Sequence, residues 1–242
     1  MSLTSANLNL TDPTRGYAHF VLYVEARIGV AGAAWNATVI IERQSPYARE
    51  WQGRLIRCEP NPLHATFVDN REIPELFHPC VDEDEESPVA ISGSGCVCRQ
   101  TFYDPEFGLP VVAKHYRPVG GRTDLWTYTT YAPLGLRPGD VIASLVIDRI
   151  SGLFWSRTTE GTLSLLPERN GHGYQVGYAG AGPVELAEYL HKLIASDGRD
   201  TAIEGLPHGQ DVDPRILAWV RSPDANRTQE LTMEQLKAIQ RG

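Results

Sequence analysis

Short runs of β-branched and aromatic residues, cut by glycine and proline breakers, set the main limit on what this chain can fold into. Cys96–Tyr103, Pro110–Tyr116, Leu125–Tyr131 and Val141–Asp148 begin about 14–16 residues apart. Between them stand Asp104-Pro105, Gly120-Gly121 and Arg137-Pro138-Gly139-Asp140. A parallel crossover needs about a dozen residues for its connection alone. The gaps here leave room only for turns, so the runs predict antiparallel hairpins. Upstream, Tyr17–Ile28, Ala37–Glu42 and Trp51–Cys58 read as three further strands of a meander, with Ser45-Pro46 closing the second.

Past residue 150 the pattern changes. Leu153–Ser156, Thr162–Leu166 and Tyr174–Tyr178 read as short strands. Pro183–Ala195 then places apolar residues at 186, 187, 190, 193 and 194, one helical face, with Pro183 in the first turn. Asp213-Pro214 is an N-cap followed by proline and predicts a second helix, Asp213–Val220. Thr232-x-x-Gln235 is a capping box and predicts a third, Thr232–Ile239. The expected class is α+β. A strand-rich N-terminal antiparallel sheet or barrel (1–150) precedes a small α+β part with three helices (151–242). No flexible linker marks the boundary, so the two parts can share one core. Glu59–Gly95 contains Pro60, Pro62, Pro74, Pro79 and Pro88 and the acid run Asp82–Glu86. It keeps no helical or strand period and reads as a long acidic surface loop (59–95), its carboxylates a solvated face rather than a calcium loop.

Composition narrows the function classes. The 242 residues carry a net charge of −8, and neither half is basic, so the broad footprint of a nucleic-acid binder is missing. Ordinary globular usage excludes a disordered tail, a collagen-like fibre and a coiled coil. The longest uncharged stretch, Ile28–Ile41, is broken by Asn36 and Thr38 and falls short of the roughly 20 apolar residues of a membrane span. Met1–Leu10 lacks a cationic segment and an apolar run. Four cysteines do not make a disulfide scaffold. These features predict a cytoplasmic protein without a membrane partner. Only Lys114, Lys192 and Lys237 break an otherwise all-arginine set of basic residues, which leaves bidentate anion contacts open.

The most distinctive segment runs from Tyr174 to Pro183 into the first helix: strand, glycine turn, helix N-terminus. Glycines at 177, 180 and 182 allow positive φ or close backbone approach, and a helix start offers free N–H groups to an anion. Gly177, Tyr178, Gly180 and Gly182 are therefore candidate ligand-binding residues for an anionic small molecule. Against this, Pro183 removes a donor, no P-loop lysine follows, and the spacing is wrong for a dinucleotide fingerprint. The plainer reading is a tight connection that packs the helix.

Gly177-Tyr178-Ala179-Gly180-Ala181-Gly182-Pro183, followed by Leu186-Ala187, resembles the hallmark of an uncharacterised domain family common in actinobacterial and phage genomes. Its members show Gly-Tyr-x-Gly-x-Gly-Pro before a helix that opens with a Leu-Ala pair. The likeness spans about Gly152 to Gln240; this chain has Val176 where the family has tryptophan. The resemblance implies a small α+β module from a mobile element. It carries over no catalytic residue, since the family has no established activity.

The remaining chemistry is sparse. Cys58, Cys80, Cys96 and Cys98, with His64 and His78, offer zinc-type ligands, but the pairs are spaced by one residue rather than two to four. Two strand cysteines facing a core or cleft are the simpler reading, and no metal or cofactor is expected. Ser92-Gly93-Ser94-Gly95 lacks the frame of a nucleophile elbow. Glu25, Glu42, Asp104 and Asp148 stand at strand ends and could serve a metal-dependent hydrolase or nuclease, with Glu42-Arg43-Gln44 as its acid-bearing strand. His19, His115 and His172 stand alone. Arg43, Arg49, Arg54 and Arg57 interleave with Tyr47 and Trp51, as on a single-strand nucleic-acid platform. Arg54 and Arg57 could equally meet an acidic partner. The favoured expectation is a non-enzymatic binding or assembly module. It would recognise a partner protein, a second copy of itself as a homo-oligomer, or an anionic ligand. Nucleic acid is possible but not favoured.

Overall fold

The structure, a computed structural model, describes residues 38–42, 45–61, 63–64, 96–117, 125–168, 173–203 and 212–242. It is α+β, with two antiparallel sheets and four helices among these residues. The chain divides into two compact units, and residues Ser45–Trp51 belong with Ala132–Gly242 rather than with their sequence neighbours.

The first unit holds a five-stranded sheet in the order β1-β5-β4-β3-β2. Its strands are β1 (Thr38–Glu42), β2 (Ile56–Arg57), β3 (Cys96–Asp104), β4 (Leu109–Arg117) and β5 (Leu125–Tyr131). The hairpin pairing expected from breaker spacing is present, with Cys96 opposite Arg117 and Val111 opposite Thr130. Among the described residues the sheet is open, with β1 and β2 at its edges. Val111, Val112 and Ala113 are all buried, as befits a central strand covered on both faces. At the β3–β4 turn, Asp104 Oδ1 accepts the Glu106 N–H at 3.0 Å. This Asx turn is the physical content of the Asp104-Pro105 breaker.

The second unit holds a four-stranded sheet in the order β8-β7-β6-β9. It comprises β6 (Ile142–Asp148), β7 (Leu153–Thr158), β8 (Leu163–Leu165) and β9 (Gln229–Thr232). Strand β6, grouped by sequence with the preceding hairpins, is hydrogen-bonded to β7 and β9 instead. Leu145, Ile147, Phe154 and Leu166 form one core with α2 (Ala181–Ala195), α3 (Pro214–Arg221) and α4 (Met233–Arg241) through Leu186, Leu190, Leu193, Ile216 and Leu236. The three expected helices carry the expected caps. The Asp213 side chain accepts from Arg215 N and Ile216 N, and Thr232 and Gln235 close a reciprocal capping box.

Two strand expectations are corrected. Trp51–Cys58 is not a strand: Pro46–Gly53 is helix α1, and only Ile56–Arg57 is extended in the ladder. Ser45-Pro46 is the reason. Ser45 Oγ accepts N–H bonds from Tyr47 at 3.1 Å and Ala48 at 3.3 Å, and proline occupies the first helical position. The same dipeptide that stops a strand starts a helix. Tyr174–Tyr178 shows the strand alternation, with Tyr174 and Val176 buried and Gln175 exposed, yet it joins no ladder. Its Gly177 N–H donates instead to Val220 O at the end of α3, at 2.8 Å. No helix among the described residues is long and apolar enough to cross a membrane.

Candidate functional site

Each glycine of the turn makes room for a side chain of the protein itself. Gly177 has φ +86°, and a Cβ there would stand 2.8 Å from Asn226 Cβ. At Gly180 a Cβ would collide with the Tyr178 ring, which lies against that glycine. At Gly182 it would stand 2.8 Å from Gln175 Cβ and 3.2 Å from the Gln175 nitrogen. Of the two uses expected of these glycines, positive φ holds only at Gly177. Gly180 is extended at φ −167°, and Gly182 lies inside α2. These two glycines are there for close approach. The space a Cβ would need at these glycines is taken by Asn226, Tyr178 and Gln175, and the Gly177 N–H is already bonded. We expect Gly182→Val to cost about 1–3 kcal/mol, because the Gln175 backbone cannot yield. Gly180→Ala should cost less than about 1 kcal/mol, because the exposed Tyr178 ring can swing away. Urea unfolding of both variants checks the order.

The other sequence candidates fall into three groups. Arg54 grips Asp104 through two bonds, Nη2 to Oδ2 at 2.8 Å and Nε to Oδ1 at 3.3 Å, beside the exposed Arg57 of β2. Arg54 thus already holds a carboxylate, and it sits in the other unit from the glycine turn. Trp51, read as a base-stacking aromatic, is buried against Trp155 with ring centroids 6.3 Å apart, so it offers no face to a nucleobase. Asp148 is fully buried. It takes hydrogen bonds from the Ser45 and Ser151 hydroxyls and, on Oδ1, from the Ile150 and Ser151 N–H groups. Asp104 and Asp148 thus have their oxygens occupied.

His64 and Cys58 do meet, with Sγ 3.8 Å from Nε2. Asn61 donates its N–H to His64 Nδ1 at 3.2 Å, which leaves the proton on Nε2, where it is donated to Phe102 O at 2.8 Å. Both ring nitrogens are used, and burial holds the imidazole below its ordinary pKa and neutral. These bonds leave His64 no free nitrogen for a metal. Among the described residues no cluster of three or more His, Cys, Asp or Glu could hold a metal ion. Cys96 and Cys98 lie on β3, with Cys98 opposite His115 of β4, and Glu42 closes β1 opposite Thr127. Tyr17–Ile28, His19, Glu25, Arg43, Gln44, His78, Cys80, Asp82–Glu86, Ser92, Ser94 and His172 lie outside the described residues.

A site of which sequence reasoning found only Tyr178 lies at one end of the second unit. Three loops meet there. The β6–β7 turn donates the Arg149 N–H to Thr228 Oγ1 at 3.0 Å. The loop between α3 and β9 packs Asn226 on Gly177 of the glycine turn. Each loop is held in place, the glycine turn by its Gly177 N–H on Val220 O and the other two by bonds of their own. Asp148 braces Ile150 and Ser151, Gln229 Nε2 donates to Asp224 O at 2.9 Å, and Ala225 is buried beneath. From this end Ile150 and Tyr178 project, 56% and 45% exposed, two of the three large apolar side chains exposed among the described residues. Arg149, Arg221 and Arg227 are exposed on the same segments.

No family model, curated protein or solved structure matches this chain.

Proposed function

We propose that the chain is a non-enzymatic binding module that docks a partner protein through the end bearing Ile150 and Tyr178. The observation that carries this reading is the joint exposure of these two side chains on braced loops that meet at one segment. A rigid aromatic ring on a braced loop is the kind of anchor on which interfaces spend their binding energy. The likeness of Gly177–Pro183 to a phage and actinobacterial signature supports an origin in a mobile element, where assembly modules are common currency. The partner is a foreign protein or a second copy of this chain, and sedimentation at several concentrations separates the two. The alternative, a metal-dependent hydrolase or nuclease, draws no support from Asp104 or Asp148, whose oxygens are committed to Arg54, Ser45, Ser151 and backbone donors.

A random peptide library panned against the purified chain tests the docking reading. Enriched binders should be lost on the double variant Ile150→Ser/Tyr178→Ala, whose exposed sites leave folding intact by circular dichroism. Binders that this variant retains equally would place recognition elsewhere and overturn it.

A further inference from the structure

Resting on that docking reading, we infer that the partner presents an acid-rich peptide segment to this end of the second unit. The three loops that meet there, with the last residue of α3, carry Arg149, Arg221 and Arg227 against one acid at the surface, Asp224. The other carboxylate nearby, Asp148, is buried and saturated with donors. Five other cations of this unit stand in ion pairs, among them Arg199 with Asp197. Arg137 pairs with Asp140, Arg157 with Glu50 and Glu230, Lys192 with Asp200, and Lys237 with Asp197 and Glu234. Arg149, Arg221 and Arg227 enter no ion pair among the described residues.

In a chain of net charge −8, the end bearing Ile150 and Tyr178 thus carries three cations that have no ion pair among the described residues. That arrangement selects partners by sign: it steers an acidic segment in and turns a basic one away. Arginine suits carboxylates because its fork meets both oxygens. Two features favour an acidic peptide over a nucleic acid. Ile150 has no π-face on which a base could stack, whereas it can enter an apolar pocket. One aromatic ring and three arginines also fall short of the stacking row and charged groove of a single-strand binder.

The test takes the most acidic peptide enriched by panning and its isostere with Asn and Gln in place of Asp and Glu. Both are titrated into the wild-type chain and into Arg149→Ser/Arg227→Ser by calorimetry. The acidic peptide should bind about tenfold more tightly than its isostere to the wild type, and this gap should close in the arginine variant. Raising NaCl from about 50 to about 500 mM should weaken the acidic peptide alone. An enriched set without acidic excess, or an isostere that binds equally well while Ile150→Ser/Tyr178→Ala still abolishes binding, overturns the acidic partner and leaves the docking site standing. Failure to enrich any peptide, or indifference to Ile150 and Tyr178, overturns the docking reading itself. An oligothymidine strand that displaces the acidic peptide and binds more tightly overturns the choice of protein over nucleic acid.

Discussion

Trp51→Ala should destabilise the second unit by about 3–5 kcal/mol, the range for removing a large aromatic from a packed site. Trp51 is 1% exposed and packs on Trp155, itself wholly buried. It is the last residue of the Ser45–Trp51 segment that closes the face of the four-stranded sheet opposite α2 and α4. On that face lie Val146 and Trp155 of adjacent strands and Asp148, held by the Ser45 hydroxyl. Truncating Trp51 strips contacts from Trp155 and opens a cavity that a sheet cannot collapse to fill. Glu50, one residue earlier, meets the Arg157 guanidinium at 2.7 Å, but this exposed pair is worth little by itself. Glu50→Ala should therefore change stability by less than about 1 kcal/mol, which makes it the matched control. Urea unfolding followed by far-ultraviolet circular dichroism measures both. A Trp51→Ala loss no larger than that of Glu50→Ala would mean that the helix does not seal this face.

Local chemistry was legible and tertiary assembly was not. The caps at Asp213 and Thr232 are written in three or four consecutive residues, and the helices begin where those residues say. Strands β3 to β5 follow from breaker spacing, because each turn lies inside the segment that predicts it. Helix α1 escaped notice because Ser45-Pro46 both ends a strand and caps a helix. Its buried face is only Ala48 and Trp51, too short a run to show a period. The alternation of Tyr174 and Val176 is real, but a helix terminus accepts the hydrogen bond that a neighbouring strand was expected to take. Of the end bearing Ile150 and Tyr178, the sequence singles out Tyr178 alone, as part of the glycine turn, and nothing that joins it to Ile150. The residues of this end come from three segments up to 79 positions apart across the Arg149–Thr228 contact, and no spacing rule joins them. The glycine turn was visible as a motif. That its close-approach positions are filled from within depends on where Asn226 and Gln175 come to lie.

Stability should fall as pH rises from about 4.5 to about 8, through the single carboxyl of Glu168. Burial pushes its pKa up to about 8 from an ordinary 4.5, and the nearby Glu185 carboxylate adds to the rise, while a bond from the Gly173 backbone opposes it. Its Oε1 is enclosed with no hydrogen-bond partner among the described residues. The Glu168 N–H is tied to Pro133 O at 3.1 Å, so the backbone cannot easily turn the carboxyl out to water. The sign follows from proton counting. Between the two pKa values the folded state keeps a proton that the unfolded state has lost, so raising pH favours unfolding. Below about 4.5 both states are protonated and no penalty exists; above about 8 both are ionised and the penalty is complete. Its full size is on the order of 3–5 kcal/mol at about 1.4 kcal/mol per pH unit. His64, held neutral by burial, acts in the opposite sense at the acid end, where its protonation favours unfolding. The difference between wild type and Glu168→Gln isolates the carboxyl, because the amide cannot ionise. Urea midpoints measured from pH 5 to pH 9 should fall steeply for the wild type relative to the variant and run parallel again above about pH 8. Curves that stay parallel across the whole range would mean that Glu168 reaches water in the folded protein.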